Sequence, residues 1–223
     1  MQATEVLARL EALESPKDRE GMARFGIKPD HALGIGMTKL RAIAREVGRD
    51  HDLALELWSS GMHEARILAT IVDDPKRVSR EQMESWVVDF DSWDLCDQAC
   101  MNLFWRAEDS VEMAFEWAER DEEFVKRAAF ALMARFATKG ARATDGLLES
   151  FLPTIERASD DERNFVRKAV NWALRGIGKR NLHLNELAIE CAERIRARNT
   201  KSSRWIASDA LRELKSDKIR ARL

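Results

Sequence analysis

Phe124-Val-Lys-Arg-Ala-Ala-Phe130 and Phe165-Val-Arg-Lys-Ala-Val-Asn171 lie 41 residues apart and share one pattern, an aromatic residue and a Val ahead of a basic pair and then small residues. Arg167 to Arg175 ends in Ala-Leu-Arg, and Arg204 to Arg212 ends the same way 37 residues later. Glu64-Ala-Arg-Ile-Leu-Ala69 is an earlier, weaker copy. Self-similarity at a period near 40, each period holding two helices, is the signature of stacked helix pairs that bury their apolar faces only against their neighbours.

The rest of the chain agrees. Apolar residues recur at helical spacing almost throughout: Val6, Leu7, Leu10 and Leu13 share a face, as do Leu40, Ile43, Ala44 and Val47. Ser15-Pro16 is expected to stop the first helix, Thr38 to cap the next and Gly48 to end it. His51–Trp58 and Glu64–Val72 form the following pair, joined by Ser59-Ser60-Gly61. Later helices are expected over 79–88, 93–105, 109–119, 121–137, 144–158, 160–175, 182–197 and 202–215, about a dozen in all, with short connections. The predicted fold is all-α, a right-handed solenoid of HEAT-like (armadillo-like) repeats with one concave face. It is predicted to form a single domain over 1–223, with 1–20 and 216–223 at its periphery.

Composition narrows the function classes. With 45% hydrophobic and 34% charged residues the 223-residue chain is globular and not disordered. Ten Gly, four Pro and no Tyr supply too little turn chemistry for a many-stranded sheet. No signal peptide or membrane span is legible, so the expected location is cytoplasmic. Three cysteines cannot all pair, and Cys96 and Cys100, one helical turn apart among apolar residues, suit a core. His63-Glu64 begins like a zincin helix, but Ile67 stands where the second His is needed. No metal site is therefore expected, and no cofactor. Gly34-Ile-Gly36 lacks the third glycine and the strand of a dinucleotide site.

The net charge of −2 hides a division. From Arg163 onward there are 16 Lys and Arg against six Asp and Glu, whereas the residues before it hold 21 and 33. A basic C-terminal surface for a polyanion is one reading; internal pairing of acidic and basic faces is the other. Arg66, Lys126 with Arg127, Arg167 with Lys168, and Arg204 stand at the starts of successive second helices, where N–H groups and cations together suit phosphates. Capping and solvation of ordinary repeat helices would also place them there.

Two stretches carry more than packing. In Val87-Val-Asp-Phe-Asp-Ser-Trp-Asp-Leu-Cys-Asp-Gln98, Ser92 can cap a helix and Asp97 lies one full turn below Trp93 on the same face. In Asp161–Asn181, Trp172 is set among Arg167, Lys168, Arg175, Lys179 and Arg180. Trp58, Trp86, Trp105 and Trp117 are expected in the core, a fate open to Trp93 and Trp172 as well. Asp97 could equally be a buried partner of a base, and Arg127 a structural ion pair.

Together with Phe25-Gly-Ile27, Leu40-Arg-Ala-Ile-Ala44, Asp50-His-Asp-Leu-Ala54 and Phe124-Val-Lys-Arg127, these stretches resemble the AlkD-type DNA alkylation repair family, HEAT-like-repeat DNA glycosylases, from about Met22 to about Leu214. The resemblance implies a concave DNA-binding face and excision of cationic alkylated purines, such as N3-methyladenine and N7-methylguanine, by hydrolysis of the N-glycosidic bond without base flipping. It implies catalytic roles for Trp93, Asp97 and Trp172, and a phosphate contact at Arg127 or the adjacent Lys126. Arg167, Lys168, Arg175, Lys179, Arg180 and Arg204 are the further DNA-binding candidates. The expected partner is alkylated double-stranded DNA, bound by a monomer. Two other readings stand beside it: a non-catalytic HEAT-like protein that recognises bent or branched DNA by shape, and a protein-binding scaffold.

Overall fold

The computed structural model describes residues 1–27 and 30–223, and all regular structure among them is helical. The helices are α1 (Ala3–Glu11), α2 (Pro16–Met22), α3 (Met37–Val47), α4 (His51–Ser59), α5 (His63–Val72), α6 (Arg80–Val87), α7 (Trp93–Asn102), α8 (Ser110–Ala118), α9 (Glu123–Phe136), α10 (Asp145–Arg157), α11 (Asn164–Ile177), α12 (Leu182–Ala197), α13 (Lys201–Leu214) and α14 (Asp217–Arg220). None is long and apolar enough to cross a membrane. They fall into two compact units, Met1–Asp109 and Ser110–Leu223.

In the first unit α3, α5 and α7 pack in succession, α4 pairs with α5, and α1 rests on α4 and α5. Val6 and Leu10 of α1 are fully sealed, as are Leu40 of α3 and Leu57 of α4. The indoles of Trp58 and Trp86 stack with ring centroids 4.0 Å apart, and Phe90 and Phe104 extend the aromatic cluster. Ser15-Pro16 opens α2 rather than closing α1: Ser15 is the N-cap and Pro16 the first helical residue, where the missing N–H costs nothing. Thr38 lies inside α3, whose N-cap is Gly36. Gly48 does end that helix, at φ +77°.

In the second unit α9, α11 and α13 pack side by side, α8 pairs with α9, α10 with α11 and α12 with α13, while α10 also packs on α12. Trp117, Phe130 and Phe151 are fully buried. Cys96, Cys100 and Cys191 are all buried and in no disulfide, and burial pushes the Cys191 thiol up to about 12. Of the indoles expected inside, Trp58, Trp86 and Trp117 are buried and Trp105 is half-buried.

Side-chain ties between repeats record the period directly. In the second unit they recur at a separation of 38: Arg157 with Glu119, Arg194 with Glu156, Arg198 with Asp160, Asn171 with Asp209, Arg175 with Glu213. In the first unit the step is 31: Trp58 to Asp89, His63 to Asp94, Leu33 to Glu64. The shorter step explains why the N-terminal repeats scarcely align with the C-terminal ones in sequence.

Candidate functional site

Helix α7 of the first unit presents the candidate acid. Ser92 holds the N-cap position in extended conformation without a side-chain cap bond, and Asp94 places negative charge in the first turn. Leu95, Cys96, Ala99 and Cys100 are sealed, so one face anchors the helix. Trp93 and Asp97, one turn apart, remain half-buried, and neither is lost in the core. The Trp93 indole N–H donates to the Phe25 carbonyl at 2.9 Å, which ties the 3₁₀ turn Ala23–Phe25 to α7 and leaves the Phe25 ring exposed.

The start of α7 is held from α5. His63 is buried, and its Nε2 lies 2.9 Å from Asp94 Oδ2. Burial pulls the imidazole pKa down, but the hydrogen bond and charge of Asp94, with Glu64 and Asp91 nearby, outweigh it and leave His63 above its ordinary value. Burial likewise raises Asp94, and the His63 contact overrides it, so this carboxyl sits below its usual range. Glu64 is also buried; its carboxylate accepts the backbone N–H groups of Leu33, Gly34 and Ile35 at 2.8, 2.7 and 3.1 Å. Gly34 is required there: its φ is +78°, and a Cβ would stand 2.5 Å from the Ser15 carbonyl oxygen. The His-Glu pair that imitates a metal motif thus fastens the N-terminal segment and α7 to α5. A cavity of about 460 Å³ beside this junction is lined by Asp18, Met22, Met37, His63, Ile67 and Asp94.

In the second unit Trp172 is half-buried on α11, between the sealed Val170 and Leu174. Arg127 is buried, 6% exposed, and its Nη1 donates to the Phe165 carbonyl at 2.7 Å, joining α9 to the start of α11. Lys126 Nζ lies 3.9 Å from Asp161, which Arg163 also holds. Burial pushes the Asp161 carboxyl up, but the hydrogen bonds and charges of Arg163 and Lys126 bring it below the usual range. Arg175 and Lys179 converge on Glu213 at 2.8 and 2.9 Å. The Arg180 guanidinium donates to the Ala143 carbonyl and that of Arg204 to Asn199. Arg167 lies over the Trp205 ring, 5.1 Å from its centroid. Lys168 is exposed. Much of the C-terminal positive charge is therefore matched inside the unit.

The sequence from residue 6 to residue 214 matches the DNA alkylation repair enzyme family. The chain belongs to that family. Two Listeria proteins are similar to it over 191 residues, 83% of this chain and 83% of each of theirs: the uncharacterized protein Lin0241 of Listeria innocua at 25% identity and the uncharacterized protein Lmo0209 of Listeria monocytogenes at 23%. A solved structure from a family described as related to the HEAT-like repeat DNA glycosylases, with affinity for branched DNA structures, superposes with a TM-score of 0.82 at 19% identity. That superposition covers 100% of this chain and 96% of that one, which establishes the shared HEAT-like fold.

For this family member, two features escaped the sequence reading. The His63–Asp94 pair is hidden because the partners are 31 residues apart and His63-Glu64 imitates the start of a metal motif. Arg41, Arg45 and Arg49 were legible at i, i+4, i+8 but lay in a segment of net negative charge.

Proposed function

We propose that the chain is a DNA glycosylase that hydrolyses the N-glycosidic bond of cationic alkylated purines, the N3-methyladenine and N7-methylguanine class, with the base left unflipped. The observation that carries this reading is Asp97 one turn from Trp93, both half-buried on the open side of a helix whose other side is sealed. A purine alkylated at N3 or N7 is already cationic and departs neutral, so no general acid is needed. The deoxyribose becomes oxocarbenium-like as the bond stretches, and a carboxylate near C1′ stabilises that charge and orients the attacking water. At ~4 Å and an effective dielectric near 20 the attraction is about 4 kcal/mol, roughly a thousandfold in rate. Trp93 and Trp172 add cation–π attraction to the sugar. Arg127, or Lys126 beside it, takes a flanking phosphate, with Arg167, Lys168, Arg175, Lys179, Arg180 and Arg204 as further backbone contacts.

The deciding experiment is mass-spectrometric detection of bases freed from methylated DNA by the purified protein. Release that Asp97→Asn abolishes, with duplex affinity kept, supports the reading; no release from the wild-type protein overturns it. The second reading is a non-catalytic protein that binds bent or branched DNA by shape. It is favoured by the branched-DNA affinity of the structural relative and by the matched charges of α11 and α13, which leave fewer free cations for a straight duplex. It requires a four-way junction to bind more tightly than a duplex of equal length.

A further inference from the structure

Helix α3 carries an exposed pair of arginines, Arg41 and Arg45, that no carboxylate among the described residues answers. Arg41 and Arg45 are exposed one turn apart, about 6 Å along the axis, and no acidic group among the described residues pairs with either. Glu46, the acid beside them, is held by Arg9 on another face of the helix. Arg49 extends the row just beyond the helix end and meets Asp74 at 3.5 Å, with its own side chain 62% exposed. At the far end of α7, Arg106 lies over the Trp105 ring at 4.3 Å and donates to the Asn102 carbonyl at 2.6 Å. Burial first, and then the like charge of Arg49, hold the Arg106 guanidinium below its ordinary value. Four arginines thus crowd one side of the first unit, two of them close enough to repel.

The row borders a hollow of about 300 Å³ that crosses three helices, lined by Arg41, Ala44 and Arg45 of α3, Ile71 of α5 and Asn102 of α7. Asn102 is fixed there by hydrogen bonds to Thr70 and Gln98. A helix C-terminus attracts cations within its last turn, which accounts for Arg45 but not for Arg41. Packing of aliphatic stems over Ile71 does not need a row of like charges. An external polyanion accounts for both, because guanidinium groups one turn apart can each grip a phosphate bidentately.

We propose that Arg41 and Arg45, flanked by Arg49 and Arg106, form a phosphate-backbone contact for duplex DNA in the N-terminal unit, additional to the C-terminal cations. The inference rests on the DNA-binding part of the proposed function and not on base excision. Arg41→Ala/Arg45→Ala is measured against wild type by fluorescence anisotropy with undamaged duplex over a salt series. Each phosphate contact contributes about 0.9 to the slope of log affinity against log salt, so the double variant is expected to be shallower by about 1.8 and about tenfold weaker at low salt. Arg41→Lys/Arg45→Lys keeps most of the slope. An unchanged slope in a variant with wild-type Tm overturns the proposal, as does an equal loss in Lys218→Ala/Arg220→Ala, which alters net charge alone. A wild-type protein that binds duplex without releasing bases sinks the glycosylase reading but leaves this contact standing. Intact base release with an unchanged slope does the reverse.

Discussion

Arginines on α3 and arginines of the second unit meet different fates, although elsewhere in the first unit Arg9, Arg19, Arg66 and Arg77 are paired. In the second, richer in Lys and Arg, the guanidinium groups reach along a 38-residue step to the next repeat: Arg157 to Glu119, Arg194 to Glu156, Arg198 to Asp160, Arg175 to Glu213. In the first, poorer in positive charge, Arg41 and Arg45 on α3 have no carboxylate partner among the described residues. The excess of charge along a stretch of sequence is therefore a poor map of the field at its surface, since only unmatched groups project far into solvent.

The largest effect that tests this contrast is catalytic. Asp97→Asn keeps shape and removes one charge from the less basic unit; base release is expected to fall about a thousandfold, with duplex affinity within about twofold. Affinity that collapses in step with release would make Asp97 a binding or folding residue. Next comes Arg127→Ala, which takes the charged donor from the part-buried Phe165 carbonyl. A loss of about 1.5–3 kcal/mol of stability is expected from urea unfolding, together with weaker binding to damaged and undamaged duplex alike. Unaltered affinity at full stability would remove Arg127 from the interface. Trp172→Ala is expected to slow excision by about tenfold through lost cation–π attraction; a large fall in Tm instead would return Trp172 to the core.

The His63–Asp94 pair sharpens the comparison, because it is a largely buried charge pair of the first unit and its titration has a definite sign. His63 is raised, so its contribution to stability is complete below its unfolded value of about 6.5 and fades as pH rises through the higher folded value. Asp94 is lowered, so its share is present above its unfolded value and is lost only as acid passes the lower folded one. Between those limits the pair holds the start of α7. His63→Gln is expected to cost about 1–2 kcal/mol near pH 5.5 and less at pH 8.5; a gap independent of pH would assign the loss to packing. The smallest effect is expected at Arg157, whose pair with Glu119 is more than half exposed: Arg157→Ala should leave Tm unchanged, in keeping with weak surface ion pairs. A clear drop would mean that the 38-residue ladder acts as a cooperative network.

Much of the architecture could be read from residues near one another. The apolar spacing of Leu40, Ile43 and Ala44 located α3, and Gly48 its end, because periodicity and helix stops are written within a few residues. Ser15-Pro16 misled, since the same dipeptide can close one helix or open the next, and α1 had already ended at Glu11. The offsets of 41 and 37 bracket the 38-residue step of the second unit, whereas the 31-residue step of the first left only the weak copy at Glu64–Ala69.

By itself, then, the sequence determined an all-helical repeat protein, its family, and a Trp and an Asp one turn apart on a single helix. All of these follow from local spacing or from order along the chain. Which charges are spent inside the fold and which face solvent was decided only by tertiary structure. In the second unit a guanidinium finds its carboxylate 38 residues away, and whether that partner exists on the facing helix is a property of packing that no window of sequence contains.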